Sequence, residues 1–200
     1  GTVRKKQIIE SLEVHKYLER WMIQQLHFKF KYGRDKCQKV LTKMTKDKLV
    51  NRFQLDSRDQ YIYHLGQRSN KWHHWLMINH FHFQLLRQLK SWHRITYWKP
   101  EFDYGYGIAD GFYIIENTIN GGGVKFFFEA VDNNNPFDRH EENYIKSFHS
   151  DWQSQWWADP KKRGVISYPK IICMSERSLA IKTQELEFRV CSLADVQKDV

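Results

Sequence analysis

Nothing in this 200-residue chain approaches the roughly eighteen uninterrupted apolar residues that a membrane span needs. Even the richest run, Trp75 to Phe83, is broken by Asn79, His80 and His82. Its first residues lack the charged segment leading into a short apolar one that marks a secretory signal, so a cytoplasmic location away from membranes is expected. Cysteine is scarce. Cys37, Cys173 and Cys191 stand far apart with no C-x-x-C pair, which argues against a disulfide framework or a structural zinc site. They read as small buried hydrophobes. A wholly disordered chain is excluded, because 41% of the residues are hydrophobic, enough to build one large core or two small ones.

Acidic residues are short only in the first third. Residues 1–66 carry 15 Lys and Arg against 7 Asp and Glu, whereas residues 67–200 carry 17 against 16. Nearly all of the net charge of +9 therefore belongs to the beginning of the chain. This suggests a basic binding module over 1–66 joined to a nearly neutral domain over 67–200.

Within the first module Ile8, Ile9, Leu12, Tyr17, Leu18 and Trp21 recur at helical intervals, predicting one long helix or two joined near Val14. Met22 to Leu26 suits a short second helix. From Asp35 to Lys46 the residues Cys37, Val40, Leu41 and Met44 form an apolar stripe, and Lys36, Lys39, Lys43 and Lys46 fall within about 80° of one another on the opposite side. Four lysines on one exposed face repel each other unless an anion lies against them, and duplex phosphate is the obvious one. Leu49, Asn51, Phe53 and Leu55 then alternate towards Tyr61, Tyr63 and Leu65 across Asp56-Ser57-Arg58-Asp59, a hairpin pattern. Two helices, a basic third helix and a hairpin are the order of a winged helix-turn-helix, whose third helix enters the major groove. On that reading the lysines contact backbone, Arg34, Gln38 and Thr42 border them with side chains suited to base edges, and Arg52 and Arg58 reach phosphate or the minor groove. Winged helices also serve as protein-docking modules.

Lys71 to Leu89 predicts a helix apolar on more than one face. Its histidines, His73, His74, His80 and His82, lack ligand spacing and read as packing groups. Strands are expected over His93–Trp98, Gly107–Glu116 and Val124–Asp132. A helix follows, capped by Asn135 and Pro136 and carrying Phe137, Tyr144, Ile145, Phe148, Trp152 and Trp156 on its apolar face. Lys170–Ser175 and Glu187–Ser192 read as strands and Ser178–Leu186 as a short helix. The second domain is thus expected to be α/β with a mixed sheet. Trp152, Trp156 and Trp157 form either an exposed patch for a partner or part of the core.

Asp110 and Glu129 interrupt otherwise apolar strands, and two carboxylates from neighbouring strands suit one divalent metal. This outline resembles the restriction-endonuclease-like fold with its PD-(D/E)xK motif, although Ala109 stands at the motif's proline and Val131 at its lysine. The resemblance implies Mg²⁺ or Mn²⁺ on Asp110 and Glu129, with Asp132 or Glu116 in support and His140 or Lys146 near the scissile phosphate. Arg139 lies in the same turn as His140. Lys146 falls on the side of its helix away from the apolar stripe.

In order along the chain, Lys48-Leu49-Val50-Asn51-Arg52, His73-His74-Trp75-Leu76, Asp110-Gly111, Phe128-Glu129-Ala130-Val131-Asp132 and the helix bearing Tyr144 resemble the plasmid replication-relaxation family of Gram-positive mobile elements. That resemblance, over residues 4 to about 192, implies a winged helix followed by a nuclease-like domain. It implies a DNA-binding protein of replication, mobilisation or transcription control, acting on double-stranded DNA without a cofactor and plausible as a homodimer. The missing motif lysine favours a second domain that has lost its chemistry. A metal-dependent nuclease or nickase is the alternative.

Overall fold

The computed structural model describes residues 2–57, 60–131, 137–158, 167–175 and 177–192. Contacts divide the chain into two units, Gly1–Asn79 and His80–Val200. No helix among the described residues is long and apolar enough to cross a membrane.

The first unit runs α1 (Thr2–His15), β1 (Tyr17–Glu19), α2 (Arg20–His27), α3 (Gly33–Lys46), β2 (Asn51–Phe53), β3 (Ile62–His64) and the start of α4 (Trp72–Gln88). Ile8 and Leu12 bury one face of α1. The helix stops one residue before Tyr17, so the expected continuation through Tyr17 and Leu18 does not occur. Lys16 adopts φ 63°, a left-handed conformation that a lysine takes only when its surroundings impose it. Tyr17 and Leu18 instead pair with His64 and Tyr63 in an antiparallel strand. The cause sits on α4. Asn79 is wholly buried and donates through Nδ2 to the carbonyls of His15 (2.8 Å) and Tyr17 (2.7 Å). Its Oδ1 lies 2.9 Å from His15 Nδ1, which fixes that nitrogen as the donor. One amide thus holds the chain on both sides of Lys16, and burial lowers the His15 pKa below the ordinary imidazole value.

α2 leads into a turn closed by Gly33, where a Cβ would stand 2.0 Å from the Phe28 carbonyl oxygen. Only glycine permits that approach. α3 then buries Cys37, Leu41 and Met44. β2 and β3 pair antiparallel, and the small sheet has the order β1-β3-β2.

The second unit continues α4 and adds β4 (His93–Asp103), β5 (Ile108–Asn117), β6 (Gly123–Val131), α5 (Asp138–Phe148), β7 (Lys170–Ser175) and β8 (Phe188–Cys191). The sheet order is β4-β5-β6-β7-β8, antiparallel from β4 to β6 and parallel from β6 to β8. It is a mixed sheet within an α+β chain. β4 outruns its expected end at Trp98 and accommodates Pro100 because it is an edge strand, where a missing N–H costs no ladder bond. One sheet face carries Phe112, Ile114, Phe127, Ile171 and Cys173 into a core shared with Tyr144 of α5. On the other, Phe81 stacks on Phe128 at 3.9 Å and meets Tyr113 edge-on.

Two expected helical stretches differ. α5 ends at Phe148, and Trp152 opens a separate short 3₁₀ turn. Trp152 and Trp157 are buried in the core, stacked 6.0 Å apart, so of the three tryptophans only Trp156 is exposed. Residues 178–186 form no helix, because the buried Glu141 carboxylate accepts the backbone N–H groups of Lys182 and Thr183, both at 2.7 Å. The expected cap at Asn135 and Pro136 lies outside the described residues.

Replacing Asn79 by Ala strands two carbonyls and an imidazole N–H in the interior. Chemical denaturation is expected to show a loss of about 2–4 kcal/mol.

Candidate functional site

Two clusters collect the candidate residues, one in each unit. In the first unit Lys36, Lys39, Lys43 and Lys46 are all exposed on α3, opposite the buried Cys37, Leu41 and Met44. Arg34 is exposed beside them, while Gln38 is half-buried and donates to Thr42 Oγ1 at 3.3 Å. Asp47, which follows the stripe, is bridged by Lys5 at 2.8 Å. That contact, reinforced by Lys43 and Lys46, holds its carboxyl below the usual range. Arg52 on β2 lays its guanidinium 3.9 Å from the centre of the Tyr61 ring, a cation–π contact that positions it. Arg58 lies outside the described residues.

Two exposed aromatics join this surface. Phe30 and Tyr32, 47% and 68% exposed, precede α3, and the ammonium groups of Lys36 and Lys31 lie over their respective rings at 5.5 and 5.7 Å. Their sequence signal is the alternation Phe28-Lys29-Phe30-Lys31-Tyr32, which helical periodicity passes over. Split by unit, the charge is sharper still: residues 1–79 hold 17 basic against 7 acidic side chains, and residues 80–200 hold 15 against 16.

The second cluster begins with strand register. Gly111 pairs with Phe128, so one step further Asp110 comes opposite Glu129 on the α5 side of the sheet. Asp110 Oδ2 accepts the Ala130 N–H at 2.8 Å. Glu129 is 1% exposed; its Oε1 accepts the Tyr144 hydroxyl at 2.5 Å, and its Oε2 lies 3.3 Å from His140 Nδ1. Tyr104 stacks on Tyr144 at 4.7 Å and closes the apolar side. Asp110, Glu129 and His140 line a cavity of about 10 Å³ with Ala130, Val131 and Phe137, room for about one water.

Burial pushes the Glu129 carboxyl up to about 7, against the pull of His140 and with a further push from Asp110. The hydrogen bond to Glu129 raises His140 above the ordinary imidazole value despite its partial burial. Near neutrality Glu129 and His140 therefore exchange protons as a pair.

Other candidates stand apart. Glu116 pairs with Gly123, six residues along β5 from Asp110, or about 20 Å in extended chain, so it does not support the carboxylates. Lys146 and Arg139 are exposed on α5. Asp132 lies outside the described residues. A divalent cation demands oxygen ligands free to face it, whereas both Glu129 oxygens already face protein donors. Among the described residues, no group of three or more His, Cys, Asp or Glu side chains is arranged to hold a metal ion. As arranged, these groups do not fit one.

Both pKa values of the pair are raised, so the folded protein holds protons that the unfolded chain gives up. The contribution from Glu129 is complete below its ordinary carboxyl value and lost as pH rises through about 7. In Glu129→Gln that loss is expected to disappear, and an NMR titration is expected to find His140 moved back towards the ordinary imidazole value.

Comparison of the chain with models of known families, with curated proteins and with solved structures finds no match in any of the three.

Proposed function

We propose that the first unit binds duplex DNA, with α3 in the major groove and the β2–β3 hairpin against the backbone. The observation that carries this reading is the exposed stripe of Lys36, Lys39, Lys43 and Lys46 opposite a buried apolar stripe. The element order α1-β1-α2-α3-β2-β3 and the sheet order β1-β3-β2 support it, since this is the connectivity of a winged helix-turn-helix. The lysines and Arg52 neutralise phosphates, and Arg34 at the start of α3 reaches base edges. Phe30 and Tyr32 offer apolar contact to thymine methyls or sugars. A homodimer would place two such helices on a two-fold symmetric site.

In this reading the second unit retains the outline of a nuclease-like sheet without its chemistry. The carboxylate that a metal would need is held by Tyr144 and His140, and Val131 occupies the position of the activating lysine. The sequence resemblance sets the protein in plasmid or mobile-element replication, mobilisation or transcription control.

Charge reversal at Lys39 and Lys43 together is expected to weaken duplex binding by about a hundredfold or more at moderate salt. Unchanged affinity in a gel-shift titration would point to a protein-docking winged helix. Supercoiled plasmid incubated with the protein in Mg²⁺ or Mn²⁺ is expected to stay supercoiled. Conversion to nicked DNA that is lost in Asp110→Asn and Glu129→Gln would establish the nuclease instead.

A further inference from the structure

A cavity of the second unit lies on the sheet face opposite Glu129. Strand alternation separates the two: Glu129 and Cys173 face α5, whereas Phe126 and Ile172 face the other way. The cavity measures about 430 Å³, within the range of small-molecule sites. Its walls are Phe81, Leu85 and Leu89 from α4 and Ile115, Phe126 and Ile172 from the sheet. Nothing in the carboxylate cluster or in the DNA-binding reading uses it.

Its polar lining is rich in basic groups. His93 opens β4, Lys170 opens β7, and Arg189 stands opposite Ile172 on β8. They gather at the sheet end where β6, β7 and β8 begin, together with the amides of Asn117 and Asn120. Among the described residues the lining includes three basic side chains and no Asp or Glu. Lys170 is shared with Glu187, which lies outside the lining and meets its ammonium at 2.5 Å. An apolar chamber with hydrogen-bond donors of positive character at one end matches a molecule with an apolar body and an anionic head.

We infer that this cavity binds one small amphiphilic anion, its apolar body between α4 and the sheet and its head group at Arg189, Lys170 and His93. A free small molecule is the occupant, because a concave chamber of this volume holds one chain and offers no flat apolar surface to a bilayer. The inference stands independently of the DNA-binding reading.

Cys191 supplies the readout. It is half-buried and lines the cavity, whereas Cys37 and Cys173 are buried. Burial pushes the Cys37 thiol up to about 12 and raises that of Cys173 as well, so both react slowly. The full chain is labelled with a thiol reagent in the presence of decanoate, decanol or decyltrimethylammonium, each below its micelle concentration. Decanoate is expected to slow Cys191 labelling saturably and at about tenfold lower concentration than the other two. Arg189→Glu, at an exposed position, should erase that preference. Val124→Glu, which places a carboxylate in the lining at another exposed position, should weaken decanoate protection in a chain of unchanged circular dichroism. Equal protection by all three amphiphiles, or none by decanoate, overturns the inference. So does protection seen only when phosphatidylglycerol vesicles replace the free amphiphile, which would make the site a membrane contact.

Discussion

One side-chain amide sets the course of the first unit. By taking the carbonyls of His15 and Tyr17, Asn79 holds a left-handed turn at Lys16 that α1 would otherwise run through. The turn frees Tyr17–Glu19 to pair with β3, and that pairing puts β3 at the centre of the sheet with β2 outside it. The hairpin is thereby fixed against the helices, and α3 is left with its apolar stripe inside and its lysines in water. A buried amide with every group satisfied specifies this arrangement more sharply than apolar packing does, because any other register leaves polar atoms unpaired.

In the second unit a carboxylate plays the corresponding part, with the opposite electrostatic character. Glu129 is buried in an aromatic core, where ionisation is costly. Tyr144 and His140 offset that cost, and their hydrogen bonds to it link β6 to α5. The same bonds that make Glu129 tolerable in the core turn both of its oxygens towards protein donors.

Much of this was legible from local pattern. The period of Cys37, Leu41 and Met44 located α3 and the face of its lysines, and alternation located β2, β3 and the strands from β4 to β8. Where the pattern misled, a distant partner was responsible. Tyr17 and Leu18 have helical spacing from Leu12, and Asn79, more than sixty positions away, together with the pairing to β3 holds them out of the helix. Residues 178–186 look helical until Glu141 takes two of their N–H groups. Trp152 follows the period of α5 yet belongs to a separate turn. At the carboxylate cluster the residue types identified Asp110, Glu129 and His140. The bond from Tyr144 joins a strand to a helix fifteen residues on, and no spacing rule encodes it. Glu116 was a plausible partner by composition alone, and strand register removes it.

The central claim, that the lysine face of α3 meets duplex phosphate, is most directly tested by measuring the affinity of the full chain for duplex DNA across a range of salt concentrations. If the four lysines each neutralise a phosphate, the logarithm of the affinity falls against the logarithm of salt with a slope of about −3.6. Arg52 would make it slightly steeper. A slope near zero, or one unchanged when Lys39 and Lys43 are replaced by Gln, would contradict the account.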